Sequence, residues 1–165
     1  MKRLMAIFLV FFICNLIYCQ VFTINDLITM YESDLDGMHD LCLRQDLIFL
    51  DVRYENQGSH TRYIFSNRSH ATYKADPKER STDVIKTISS SNKEVLSISV
   101  NTDNKDLYSR LKEEVDAMGF RKVDTEAIHD DRAIITLYEG DTYKIEYTYT
   151  GTLPAQRFGI KLHLK

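Results

Sequence analysis

Tryptophan is absent from this chain, and proline and glycine are scarce, with two Pro and six Gly in 165 residues. That scarcity excludes collagen-like and Pro/Gly-rich low-complexity classes. Cysteine is nearly absent too: three residues, of which Cys14 and Cys19 lie inside the first nineteen positions. A disulfide scaffold cannot be built from what is left. Excess positive charge is also missing. Lys and Arg number 21 against 24 Asp and Glu, for a net charge of −3, which excludes a strongly basic nucleic-acid binder. No apolar run reaches the ~20 residues that a bilayer span needs. What remains is a chain 44% hydrophobic and 11% aromatic, enough to pack one ordinary domain or two very small ones.

The first nineteen residues read as a secretion signal. Lys2 and Arg3 supply the positive start, and residues 4–16 are apolar except for Asn15. Ile17 and Cys19 then occupy the two recognition positions, leaving Gln20 first after cleavage. A competing reading makes Cys19 a lipid-anchor cysteine, because Leu16 stands three places before it; the bulky Tyr18 does not suit that pattern. Loss of Lys2 and Arg3 with the leader takes the net charge from −3 to −5, and Cys42 becomes the single thiol. The expected location is exported, periplasmic or extracellular. Membrane association follows only if Cys19 is lipidated, as in an outer-membrane lipoprotein.

Hydrophobic spacing then lays out the elements. Residues 23–45 read as two short helices or one kinked helix. Thr23 and Asp26 form a capping pair, Ile24, Leu27, Ile28 and Tyr31 share a face, and Ser33-Asp34 marks a break. Residues 47–54 and 61–66 read as strands around a Glu55–Gly58 turn, and residues 83–89 and 94–100 as a hairpin. Residues 67–80 are polar, hold Pro77 and include loop. Residues 104–118 are the best helix, capped by Asn104, striped by Leu107, Leu111, Val115 and Met118, and stopped by Gly119. Four strands follow at 120–127, 133–138, 142–150 and 157–164. Tyr143, Ile145, Tyr147 and Tyr149 alternate with Lys144, Glu146 and Thr148. Phe158, Ile160, Leu162 and Leu164 alternate with Lys161, His163 and Lys165.

The order is helix then four strands, twice. The expected fold is α+β and two-layered, with helices packed on an antiparallel meander sheet. It divides into a first unit over 20–101 and a second over 102–165, or forms one continuous domain over 20–165 with the helices on one face. This pattern resembles the tandem repeats of beta-lactamase inhibitor proteins and of small outer-membrane assembly lipoproteins. The Tyr18-Cys19-Gln20 end of the leader and the acidic segment from Tyr31 to Gly37 also resemble uncharacterised secreted proteins of Bacteroidetes-type bacteria. The resemblance implies a binding role and carries over no functional residue. The inhibitor proteins hold disulfides, which Cys42 alone cannot provide.

Catalytic templates fail one after another. Cys42 lies between Leu41 and Leu43 in helical register with Met38, the setting of a small core residue rather than an activated nucleophile. No Ser occupies a Gly-x-Ser-x-Gly turn. His39, His60, His70, His129 and His163 are scattered, with no pair three or four apart, so no metal site is expected. Asp34, Asp36, Gly37 and Asp40 superficially suggest a calcium loop. Counted from Asp34, however, Gly37 is fourth and Gln45 twelfth, where such a loop needs Gly sixth and an acid twelfth. Glu113-Glu114 and Asp130-Asp131 offer paired carboxylates by type only, and no glycine run cradles phosphate. No catalytic residue, cofactor or metal is therefore expected.

The reading left is a non-enzymatic secreted or periplasmic binding or assembly module that recognises a protein or envelope component, not nucleic acid. The alternative is a small cavity-type α+β enzyme with an isolated Asp, His or Tyr site. For the module, the wet face of the last two strands, Lys144, Glu146, Lys161 and His163, is the candidate binding surface. The leader supplies the first test: intact mass of the exported protein is expected to lack residues 1–19. Recovery of a diacylglyceryl group on Cys19 would replace the soluble reading with a lipoprotein.

Overall fold

The computed structural model describes residues 22–69, 81–128, 133–151 and 156–165. The leader, the Pro77 loop with His70, the His129-Asp130-Asp131 turn and most of the Gly151–Pro154 turn lie outside the described residues.

Helix α1 spans Ile24–Glu32 and helix α2 spans Leu35–Leu43. Thr23 and Asp26 form a full capping box: Asp26 N donates to Thr23 Oγ1 at 3.1 Å, and Thr23 N donates to Asp26 Oδ2 at 2.8 Å. Ser33, in an extended conformation, ends α1, and Asp34 caps α2 by accepting from Gly37 N at 2.8 Å. The chain thus forms two helices, separated at the Ser33-Asp34 break. Their buried side chains are Ile24, Leu27, Met30, Tyr31, Met38 and Cys42.

The strands are β1 (Ile48–Glu55), β2 (His60–Ser66), β3 (Thr82–Ser89), β4 (Val95–Thr102), β5 (Arg121–Ile128), β6 (Ala133–Glu139), β7 (Tyr143–Thr150) and β8 (Arg157–Leu164). Helix α3 (Lys105–Ala117) lies between β4 and β5. All neighbouring strands pair antiparallel in one eight-stranded sheet of order β1-β2-β3-β4-β8-β7-β6-β5. The protein is therefore mixed α and β. Two meanders meet where β4 pairs β8, with Val100 opposite Ile160 and Ser99 opposite Lys161. The two halves of the chain share one continuous sheet.

The period-two patterns sort the two faces as the sequence suggests. Phe65, Val84, Ile98, Val100, Ile145, Tyr147, Ile160 and Leu162 join the buried residues of the three helices in one apolar cluster. Each such side chain, fully buried, contributes ~1.5–3 kcal/mol. Tyr147 is the largest of them, with Tyr108 and Tyr138 edge-on to its ring at 5.4 and 5.5 Å. Phe158 extends the group by stacking on Tyr108 at 4.6 Å. Leu107, Leu111 and Val115 cover this region as expected. Met118 does not: it is 42% exposed, because it is the C-cap residue, past the last turn that faces the sheet. Gly119 follows at φ +81°, the left-handed conformation that ends the helix. Leu164, at the end of β8, is likewise exposed rather than packed with Leu162.

A charged group lies among the apolar side chains of the core. Lys86, on the helix-facing side of β3, is 1% exposed. Its ammonium donates to Met30 O at 2.8 Å, Tyr31 O at 3.2 Å and Ser33 O. The Met30 and Tyr31 carbonyls belong to the last turn of α1 and Ser33 is its C-cap, where helix geometry leaves oxygens without intrahelical partners and concentrates negative dipole charge. Burial lowers the Lys86 pKa and the Asp34 carboxylate opposes that shift. At the other end of α1, Ile24 N donates to Glu114 Oε2 at 2.8 Å, and Arg110 Nη2 donates to Phe22 O at 3.2 Å. Both ends of α1 thus meet a side chain of the favourable sign, one from β3 and one from α3.

Replacing the cation tests this. Lys86→Met keeps an apolar stem of similar length but strands three carbonyls, and is expected to cost about 2–3 kcal/mol in urea unfolding. A loss below about 0.5 kcal/mol would show that the ammonium does not secure the helix.

Candidate functional site: a polar cleft at the sheet seam

The residues that alternate along the strands with those of the apolar cluster make a second, largely polar face of the sheet. At the β4–β8 seam this second face sinks into a cleft of about 320 Å³. Its floor is made of short residues: Ser99 and Asn101 from β4, Gly159 from β8 and Thr148 from β7. Gly159 is where the backbone floor is bare. A Cβ there would meet Asn101 Oδ1 at 3.3 Å and the Thr148 Cβ at 3.4 Å, so any side chain would enter the cleft. The rims are longer and charged, with Arg62, Arg157 and Lys161 against Glu146.

Ion pairs order this face. Glu146 is the hub on β7, with Lys161 Nζ 3.5 Å from its Oε2 and His163 Nε2 3.2 Å from its Oε1, the latter without hydrogen-bond alignment. Lys144 pairs with Glu139 at 2.9 Å, and Lys165 lies 3.8 Å from the same carboxyl. The Lys144 hydrogen bond, followed by the nearby cations, holds the Glu139 carboxyl below its ordinary range. Arg62 pairs with Glu55 at 2.5 Å. Exposed pairs of this kind contribute little to stability, since water screens them; they fix side-chain positions instead.

Of the four residues expected to form the wet face, Glu146 and Lys161 line the cleft and His163 stands beside Glu146. Lys144 points to the same face but belongs to the neighbouring Glu139 pair. Sequence reasoning missed Arg62, Ser99, Asn101, Thr148, Arg157 and Gly159. The alternation of Ser97, Ser99 and Asn101 with Ile98 and Val100 was a visible signal of a polar face. The partner strand, β8, was not visible. Flanking the cleft on β6, Ile135 and Leu137 are half-buried on this same face. On the far side Leu50, Ile64 and Ile85 form a small separate apolar cluster.

The other candidates resolve into structural roles. Asp34 is a helix cap and Glu114 holds the start of α1. His39 is exposed against the Phe65 ring at 6.0 Å, and His60 contacts Asn56 Nδ2 at 2.9 Å. Among the described residues no group of three His, Cys, Asp or Glu could hold a metal, and no helix is long and apolar enough to cross a membrane. Ser66 Oγ donates to Asp83 Oδ1 at 2.6 Å in a buried polar group with Arg68 and Ser81, which closes one end of β2 and β3. No protein-family model, curated protein or solved structure matches the chain.

Cys42 is fully buried, and burial pushes its thiol up to about 12. Burial, and then donation to Glu32 at 2.5 Å, pushes Tyr143 up to about 12 as well. A group whose proton is held more tightly in the fold stabilises it below its unfolded pKa and loses that effect as pH rises toward the folded value. Thermal stability is therefore expected to hold to pH 9.0, the ordinary Cys value, and to fall between there and about 12. At neutral pH a thiol reagent should label Cys42 only as fast as the protein opens, and Cys42→Ala should cost about 1 kcal/mol. Rapid native-state labelling would contradict the burial.

Proposed function

We propose that the protein is a non-enzymatic binding module that meets a partner across the polar face of its sheet, centred on the β4–β8 cleft. The observation that carries this reading is the relief of that face. Short residues form a trough at the seam, and paired charges and half-buried Ile135 and Leu137 stand around it. Recognition surfaces combine such a desolvating apolar element with a polar rim. The partner is a protein or envelope component, and the setting is exported, periplasmic or extracellular.

The fold is read further as two tandem helix-plus-four-strand units packed in two layers. The register supports this. β1 and β5, the first strand of each meander, are both eight residues long, and each slips by one residue at its third position, at Leu50 and at Val123. The β4–β8 pairing then joins the last strand of one unit to the last strand of the other, and the cleft sits between the units.

A second reading, a cavity-type enzyme, draws on the His163–Glu146 pair at 3.2 Å beside the cleft. One set of variants separates the two. Chemical cross-linking in the native envelope is expected to attach a discrete partner to the wild-type protein. Gly159→Arg and, independently, Thr148→Arg should abolish the adduct without lowering the melting temperature by more than a few degrees. His163→Ala should leave it intact. Adducts unchanged in both cleft variants would refute the binding-module reading.

A further inference from the structure

We infer that β1, one open edge of the sheet, is the docking edge for a second copy of this chain, which pairs its own β1 antiparallel about a two-fold axis at Val52. This surface lies apart from the β4–β8 seam.

The sheet ends in two edges, β1 and β5, whose outer sides pair with no described strand. An unpaired edge recruits other strands unless something blunts it. Both edges are blunted in the same way. Each carries a bulge, and the aspartate after it folds back over the outer side of the strand. Val52 N donates to Asp51 Oδ1 at 2.9 Å, and Thr125 N donates to Asp124 Oδ1 at 2.7 Å. An incoming strand must replace that bond with its own carbonyl. It must also receive the displaced carboxylate. What comes to lie opposite the aspartate therefore decides which edge can open.

On β1 the strand supplies this for itself. Past the bulged Leu50 its residues alternate evenly. Ile48, Asp51, Arg53 and Glu55 share the face of Ile64, and Phe49, Val52 and Tyr54 share the face of Phe65. A two-fold axis normal to the sheet at Val52 overlaps the whole strand. The two Val52 residues then exchange N–H to carbonyl bonds. Asp51 of each copy meets Arg53 of the other, and Phe49 meets Tyr54. Within one chain Arg53 lies 3.2 Å from Asp51, with both side chains nearly half exposed, so exchange between copies keeps each charge paired. Moving the axis by one residue sets Asp51 on Asp51 or Arg53 on Arg53, and charge thereby fixes the register. The aromatic pair has surface to bury: Phe49 is 43% and Tyr54 74% exposed.

On β5 the equivalent axis at Thr125 sets Asp124 against Glu126 twice. Pairing β1 with β5 of another copy sets Asp51 against Glu126. Like charges directly opposite are destabilising, so Asp124 stays folded over its edge. Association through β1 alone uses the same surface on both copies and closes at a dimer.

Sedimentation equilibrium of the protein from about 1 µM to about 1 mM is expected to show monomer and dimer without larger species. Asp51→Arg and, separately, Arg53→Asp oppose like charges and should weaken the dimer about ten-fold or more. The two exchanges combined restore opposite signs and should recover it. Tyr54→Ser, on a side chain outside the core, should also weaken it. Melting temperatures at the dilute end check that each variant folds. Val52→Cys should form an intermolecular disulfide on mild oxidation, while buried Cys42 stays unreactive. Asp124→Arg should change nothing. A monomer throughout would overturn the inference. So would a dimer untouched by the single exchanges or not recovered by the combined one, absence of the Val52→Cys disulfide, or growth past a dimer that Asp124→Arg abolishes.

Discussion

The ammonium of Lys86, seated on three carbonyls at the end of α1, is the contact on which the arrangement turns. A buried cation is costly unless fully paired, and here the pairing is supplied by a helix terminus rather than a carboxylate. That choice fixes where α1 ends and how it lies across β3. The helix is then tied to the remaining chain by ordinary bonds. Tyr31 donates to Val95 O at 2.7 Å on β4, Glu114 holds the first turn from α3, and Tyr143 on β7 reaches Glu32. One short helix thereby touches both halves of the sheet. Because α1, α2 and α3 all bury into a single cluster, the opposite face is left to polar chemistry.

Much of the architecture was legible in local patterns. Among the described residues each α-helix and strand has its counterpart in the periodicity, and Thr23, Asp34, Asn104 and Gly119 mark ends where the chain does turn. Lys86 was not legible. A lysine flanked by Ile85 and Thr87 in a strand reads as a solvent position, and only the approach of a helix terminus explains its burial. Ile64 and Ile85 show the converse, as apolar residues on the polar face that pack with Leu50 at the β1 bulge. Met118 was assigned to the buried stripe by spacing alone, and spacing does not say where the sheet under a helix stops.

The cleft is the least legible feature because it is a product of pairing between distant segments. Ser99 and Gly159 are unremarkable in their own strands. Opposed across β4 and β8, next to Asn101 and Lys161, they make a depression on a surface otherwise built of longer side chains. Its floor follows from strand order, and its rims follow from ion pairs that hold long side chains upright.

The strand order also sets a sequence of events. β4 is made before α3, yet its outer edge finds no partner until β8, the last strand in chain order, arrives. Throughout that interval the edge formed by Ser97, Ser99 and Asn101 is unpaired, and a loose strand edge is where nascent chains associate wrongly. The same residues later become the cleft floor, so the cleft appears only with the final closure. A chain interrupted before Arg157 would hold α1, α2, α3 and seven of the eight strands, and would have neither the β4–β8 seam nor the cleft.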